Sequence, residues 1–341
     1  MNLSGFGLFV SFLLISSILF YNYRRKQKDN KLLASQNQQI NQQKEEITSQ
    51  RDEIESKRNI LSKQKEELEN IHSELKNSIS YALDIQRATL PSENMLKKVL
   101  PEHFIFFKPL SIVGGDFYWV VHAHQKTFIA AADCTGHGVP GGFMSMLGMS
   151  FLNEIVNREG IQEVEEILNR LRELVIESLH QKQTIGTMKD GMSIGICSID
   201  KQKNILEFAG ANTPMFIVKE KHGKQTLPER AILNDRNILE EIRPDFMPVS
   251  IHPKIRSFTR KTFPLEGIDS IYMSSDGYFD QFGGANYKKF GKSAFKEMLL
   301  KNSDKSMNEQ LSVINKTFEE WKGNNEQIDD VMVIGVKVLS I

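Results

Sequence analysis

Four aspartates stand where an apolar, β-rich run meets small residues: Gly114-Gly115-Asp116, Ala132-Asp133-Cys134-Thr135-Gly136-His137-Gly138, Ser274-Ser275-Asp276-Gly277 and Gln327-Ile328-Asp329-Asp330-Val331. Aspartate is disfavoured inside strands, so its recurrence at the ends of hydrophobic runs points to a shared purpose. Strand ends gathered at one edge of a sandwich would bring these carboxylates together, where they repel unless cations neutralise them. Hard oxygen donors with water select Mg²⁺ or Mn²⁺ over zinc, and the flanking glycines let backbone carbonyls approach an ion. Taken singly, each aspartate also reads as a turn or N-cap residue; it is the set of four that favours a site.

Two further side chains carry chemistry. His137, in a Gly-His-Gly loop, reads as a general acid near neutrality or as a loop-orienting hydrogen-bonding group, and both readings stand. Asn212, in Ala-Asn-Thr-Pro, either positions substrate or caps its turn, with the turn favoured. Cys134 and Cys197 are in no Cys/His zinc spacing and are too few for a disulfide framework, which suits a reducing compartment.

The elements that must position these groups follow from pattern. Lys plus Arg and Asp plus Glu are each 43 in 341 residues, so no global basic field exists to gather nucleic acid, and no nucleic-acid partner is expected. Residues 1–23 carry no charge and Gly5 to Tyr23 is an apolar run near the length of a bilayer-spanning helix, followed by Arg24, Arg25, Lys26 and Lys28. That order predicts a single-pass anchor in the inner membrane with a short outer N-terminus and the bulk of the chain cytoplasmic. A cleaved signal peptide is the alternative, but its N-terminal basic residues and small-residue cleavage site are missing.

From Lys31 to Leu90 there is neither proline nor glycine, and Leu33, Ile40, Ile47, Ile54, Leu61, Leu68 and Leu75 recur every seven residues. The spacing predicts a coiled-coil helix over 24–90 and a homodimer, with a thin seam because the second apolar position of each heptad is polar until Ile71. The stalk is either a passive spacer or a signal-transmitting dimer. Ile79, Ala82, Leu83, Ile85, Gln86 and Leu90 form a broader stripe at its end. Beyond Pro91, strands are expected at 104–109, 116–122, 127–133, 192–199, 204–209, 215–219, 255–263, 270–275 and 331–338. Helices are expected at 140–158, 161–181, 288–301 and 306–321, and the polar stretch 220–250 reads as a surface excursion. Strands in consecutive groups between blocks of helices argue for an α+β layered domain with antiparallel sheets over 91–341.

The runs GGDFYW at 114–119, ADCTGHGVPGGFMSMLG at 132–148, KDGMSIGIC at 189–197, FAGANTPMFIV at 208–218, YMSSDGYFDQFGG at 272–284 and QIDDVMVIGVKV at 327–338 resemble the stage II sporulation protein E (SpoIIE) type of serine phosphatase, a branch of the metal-dependent PPM phosphatases. The likeness of GGDFY to the GGDEF signature of diguanylate cyclases lacks the acidic pair and is set aside. The SpoIIE resemblance implies an α-β-β-α sandwich of two antiparallel sheets flanked by helices, with a site for two Mn²⁺ or Mg²⁺ at one edge. It implies Asp133 as the bridging ligand, the Cys134 carbonyl as a backbone ligand, Asp276 and Asp329 on one ion, and Asp116 holding metal-bound water or a further ion. The reaction implied is two-metal hydrolysis of phosphoserine or phosphothreonine on a regulatory protein, possible targets including an anti-anti-sigma-like regulator, without a phosphoenzyme. Asp133, His137 and Asp276 are the expected catalytic set. Where family members carry a basic residue, this chain has Leu110, so either Lys108 takes over the phosphate contact or phosphate binding is weak, and Ser193 stands where aspartate is frequent. The alternative is a catalytically weak module that sequesters its regulatory partner.

Overall fold

The computed structural model describes residues 3–182, 189–221, 228–338 and 341, with side chains from residue 7 onward. Two compact units divide the chain, Met1–Leu75 and Lys76–Ile341. From Leu3 on, the first lies within one continuous helix, α1 (Leu3–Thr89), which contains no proline and, after Gly7, no glycine. Its heptad residues Leu33, Ile40, Ile47, Ile54, Leu61 and Leu68 are all exposed in the single chain, as are the apolar side chains from Leu8 to Phe20.

In the second unit, the end of α1 is followed by α2 (Glu93–Val99), the strands β1 (His103–Lys108), β2 (Phe117–Ala123) and β3 (Lys126–Cys134), and α3 (Gly138–Asn153), which runs into a π-helical turn at Glu154–Arg158. Then come α4 (Val164–Ser178), β4 (Met192–Asp200), β5 (Ile205–Ala211), β6 (Met215–Glu220), β7 (Ala231–Leu233), β8 (Asn237–Ile242), β9 (Lys261–Pro264) and β10 (Ile268–Ser274). The short α5 (Gly277–Asp280), the hairpin β11 (Phe282–Gly283) and β12 (Lys288–Lys289), α6 (Lys292–Lys301), α7 (Met307–Lys322) and β13 (Val331–Lys337) complete it.

Two antiparallel sheets result, of six strands in the order β1-β13-β10-β6-β8-β7 and of five in the order β2-β3-β4-β5-β9. Strand periodicity sorts side chains between the layers. On β3, Ile129 and Ala131 face the inter-sheet core with Ile271, Met273 and Ile334, whereas Ala130 and Ala132 face the layer of Leu152, Leu168 and Leu171 from α3 and α4. Phe104, Phe216 and Tyr272 pack outward from the six-stranded sheet against Phe295 of α6 and Phe318 of α7. This is the expected α-β-β-α sandwich.

Two expectations need correction. The stretch 220–250 is not merely a surface excursion: β8 lies inside it, hydrogen-bonds to β6 and to β7, and buries Leu239. Its adjacent Glu240 and Glu241, the second of them buried, break the alternation expected of a strand, which concealed it. The strand expected at 255–263 shortens to β9, because the backbone at Arg256 is taken up by the Arg172 guanidinium at 2.9 Å and Phe258 turns into the helix-side core.

Candidate active site

Antiparallel pairing explains why the aspartates meet. In the five-stranded sheet, Phe117 at the start of β2 pairs with Ala132 at the end of β3, and Asp133 pairs with Ser193 at the start of β4. In the facing sheet, Ser274 at the end of β10 pairs with Val333, near the start of β13. Asp116, Asp133, Asp276 and Asp329 therefore emerge at the same edge of the sandwich.

The loop geometry tightens this arrangement. A side-chain carbon at Gly115 would lie 2.6 Å from the Gly136 carbonyl and 3.3 Å from that of Cys134, so the 114–116 turn seats directly on the 134–136 turn. At Gly277 the same carbon would come within 2.0 Å of the Asp330 carbonyl, which only glycine permits.

The electrostatics are those of crowded carboxylates. Asp116 is 1% exposed and its Oδ2 has no hydrogen-bond partner. Burial, then the neighbouring Asp133 charge, push its carboxyl well above the usual range. Asp133 is pushed up to about 7 by burial and by the charges of Asp276, Asp329 and Asp330. Asp276 and Asp329 are raised by burial first; the Asp329 charge adds to the shift of Asp276, while nearby His137 moderates that of Asp329. A desolvated cluster holding an orphaned buried oxygen fits hard divalent cations. Among the described residues no three acidic, His or Cys side chains form a ready-made metal cage. Shells completed by a backbone carbonyl, such as that of Cys134, and by water match the habits of Mg²⁺.

A cleft of about 390 Å³ opens onto this edge, lined among others by Asp133, Thr135, His137, Lys189, Ser193 and Asp329. His137 occupies the N-cap position of α3 but its side chain does not cap the helix; it is exposed beside Asp329. The Cys134 thiol is buried, and burial with the adjacent carboxylates pushes its pKa well up, so it is no thiolate nucleophile.

Of the two expected substrate contacts, Lys108 lies elsewhere. Lys108 Nζ is paired with Glu319 of α7 and sits over the Phe318 ring, and it does not line the cleft. Asn212 adopts φ 60° in its turn, its N–H donates to the Asp245 carbonyl at 2.9 Å, and its amide reaches Ser193 Oγ at 3.4 Å, so the turn role is the one its geometry displays.

Three residues escaped the sequence reading. Asp330 accepts hydrogen bonds from the N–H groups of Leu110 (2.6 Å) and Gly115 (2.5 Å), binding the loop before Asp116 to the start of β13. Gln86 of α1, buried at 4% exposure, donates from its amide to the Gly114 carbonyl and Ser145 Oγ, both at 2.7 Å. Lys189 enters the cleft. The doubled Asp of QIDD and the lysine of KDGMS were visible signals; for Gln86 there was none beyond its place in an apolar stripe.

The family model for Stage II sporulation protein E (SpoIIE) matches residues 123–339. Among solved structures, the SiaA-PP2C domain of Pseudomonas aeruginosa is similar with a TM-score of 0.65 at 27% identity, over 78% of this chain and 98% of that one. The PP2C phosphatase domain of SpoIIE from Bacillus subtilis, with a fragment of its regulatory domain, shares the fold with a TM-score of 0.51 at 17% identity, over 69% of this chain and 62% of that one. The RsbU and RsbW domains of Rv1364c from Mycobacterium tuberculosis do so with a TM-score of 0.51 at 14% identity, over 70% and 60% of the two chains. No curated protein matches the sequence. Asp116 lies upstream of the family match and rests on geometry alone, whereas Asp133, His137, Asp276 and Asp329 fall within it; with more than half of its length matched, the chain belongs to the SpoIIE family of PP2C-type phosphatase domains.

Proposed function

We propose that the chain is a membrane-anchored, metal-dependent phosphatase of phosphoserine and phosphothreonine on a regulatory protein, governed through a dimeric helical stalk. The observation that carries the reading is the convergence of Asp116, Asp133, Asp276 and Asp329 at one sandwich edge with a buried, unpartnered Asp116 oxygen.

Two Mn²⁺ or Mg²⁺, when bound, supply charge neutralisation for the phosphoryl oxygens and activation of the attacking water. Asp133, pressed by the charges of Asp276 and Asp329, would be a central carboxylate ligand to such ions. Asp276, Asp329 and the Cys134 carbonyl would help to hold the ions, with Asp116 completing the acidic wall. Water adds to phosphorus as the bond to the serine oxygen breaks. His137, exposed at the cleft beside Asp329, is placed to hand that departing oxygen its proton.

The N-terminal part of α1 is long and apolar enough to cross a membrane, and the basic residues after Tyr23 favour a cytoplasmic phosphatase domain. The test is hydrolysis of p-nitrophenyl phosphate and a phosphoserine peptide by the full chain with Mn²⁺, Mg²⁺ or chelator. Turnover that needs a divalent ion and falls by at least about a hundredfold in Asp133→Asn and Asp276→Asn is expected, the scale of losing a group that acts on transition-state charge. Metal-independent turnover, or none, overturns it.

A further inference from the structure

The phosphatase reading, on which this inference rests, calls for a positive group facing the substrate phosphate. Lys108 is engaged by Glu319 outside the cleft. Lys189 lines the same cleft as Asp133, His137 and Asp329, and it has no acidic partner among the described residues.

The backbone next to Lys189 is firmly held. Thr135 N–H donates to the Gly191 carbonyl at 2.9 Å, and Gly191 N–H donates back to Thr135 Oγ1 at 3.2 Å. Gln181, 7% exposed, donates its amide to the Asp190 carbonyl and accepts from Ile251 N–H at 3.0 Å. A side-chain carbon at Gly191 would lie 2.4 Å from the Val249 carbonyl, so the approach of this segment to the 249–250 wall requires glycine. Lys189 thus projects from a segment tied both to the loop after Asp133 and to the neighbouring 249–251 segment.

A phosphomonoester dianion entering a cleft walled by carboxylates needs more than neutralisation from the acidic side; its remaining non-bridging oxygens are best met by a mobile cation with several donors. We propose that Lys189 is a substrate-binding residue whose ammonium contacts those oxygens, the position expected of Lys108 in the sequence. Its flexible stem lets the contact persist as the phosphoryl group flattens during displacement.

The test measures the full chain with Mn²⁺, using p-nitrophenyl phosphate as substrate and inorganic phosphate as competitive inhibitor, for wild type, Lys189→Gln, Lys189→Arg and Lys108→Gln. Lys189→Gln is expected to raise KM and weaken phosphate inhibition each by about tenfold, the scale of one charge-assisted hydrogen bond, with its thermal midpoint unchanged. Lys189→Arg should restore most of both, which a merely structural role would not predict. An active wild type whose KM and phosphate inhibition are unmoved by Lys189→Gln, or are moved instead by Lys108→Gln, overturns the assignment alone. A wild type inert with every metal overturns the phosphatase reading and this assignment with it.

Discussion

The side-chain amide of Gln86 donates to the Gly114 carbonyl at 2.7 Å, and its oxygen receives the Gly114 N–H at 3.4 Å, so the last turns of α1 grip the turn that carries Asp116. The same amide reaches Ser145 Oγ of α3. One residue thus joins the helix, the acidic loop and the helix behind it. Gln86→Ala leaves buried groups unpaired and should cost about 1–3 kcal/mol. At about 2–4 °C per kcal/mol for a domain of this size, the thermal midpoint should fall by roughly 2–12 °C. If stalk geometry is read out through this grip, the Mn²⁺ concentration for half-maximal activity should also rise several-fold. A Mn²⁺ requirement identical to wild type would uncouple the helix from the site.

Asp330 works from the opposite side of the same loop. Its two carboxylate oxygens each accept one backbone N–H, from Leu110 and from Gly115. Asp330→Ala should cost about 2–5 kcal/mol, since one buried and one partly buried donor lose a charged acceptor. Asp330→Asn keeps one acceptor and turns an amide toward the other N–H, so its loss should be nearly as large. Chemical denaturation of both variants beside Asp329→Asn separates the roles: Asp329→Asn should cost activity with little stability, Asp330→Asn both.

The contrast between Asp329 and Asp330 marks where reading the sequence stops. Strands β3, β10 and β13 were legible because each buries both faces or nearly so, leaving strong apolar runs beside aspartates, and β1 because its buried Phe104 and Phe106 alternate with less buried neighbours. Helices α4 and α7 were legible from their apolar stripes, and the convergence of the four aspartates from strand-end position alone. Which carboxylate of QIDD faces the site and which ties a loop depends on the register of β13 against β1, a long-range pairing that no local spacing specifies. Lys108 misled for a related reason. Its strand was placed correctly, but the acidic partner, Glu319, lies more than two hundred residues away.

Cys134 adjoins the reacting groups without being able to react. Its thiol is buried, and desolvation with neighbouring negative charge pushes its pKa well above the ordinary thiol value. Iodoacetamide at pH 8 should leave both cysteines of the native full chain unmodified while denatured chain is alkylated at both, as peptide mass spectrometry would record. Fast labelling of Cys134 in native protein, with parallel loss of activity, would argue for a thiolate at the site.

The N-terminal helix makes a separate prediction. Leu8, Phe12, Leu13, Leu14, Ile15 and Leu19 are all more than half exposed in the single chain, a surface that water does not tolerate over this length. The expressed full chain should sediment with membranes and resist carbonate extraction, whereas removal of residues 1–23 should release it. A full chain that stays in the soluble fraction would point instead to burial of this face against protein.

The acidic edge also links stability to pH. Asp133 has an ordinary value of 3.8 and is raised to about 7 in the fold. Asp116 and Asp276 are raised as well. Between those pH values the folded, cation-free chain holds more protons than the unfolded chain, so stability falls as pH rises. The contribution is fully present below about pH 4 and lost through about pH 7. In chelator, the thermal midpoint should therefore decline across this window more steeply in wild type than in Asp133→Asn, where the Asp133 term is absent. Divalent ions held by the deprotonated cluster would compete with its protons, so Mn²⁺ should raise the midpoint strongly at pH 7.5 and weakly at pH 5. A Mn²⁺ shift of equal size at both pH values would mean that ions bind away from these carboxylates, and the same result in Asp133→Asn would confirm it.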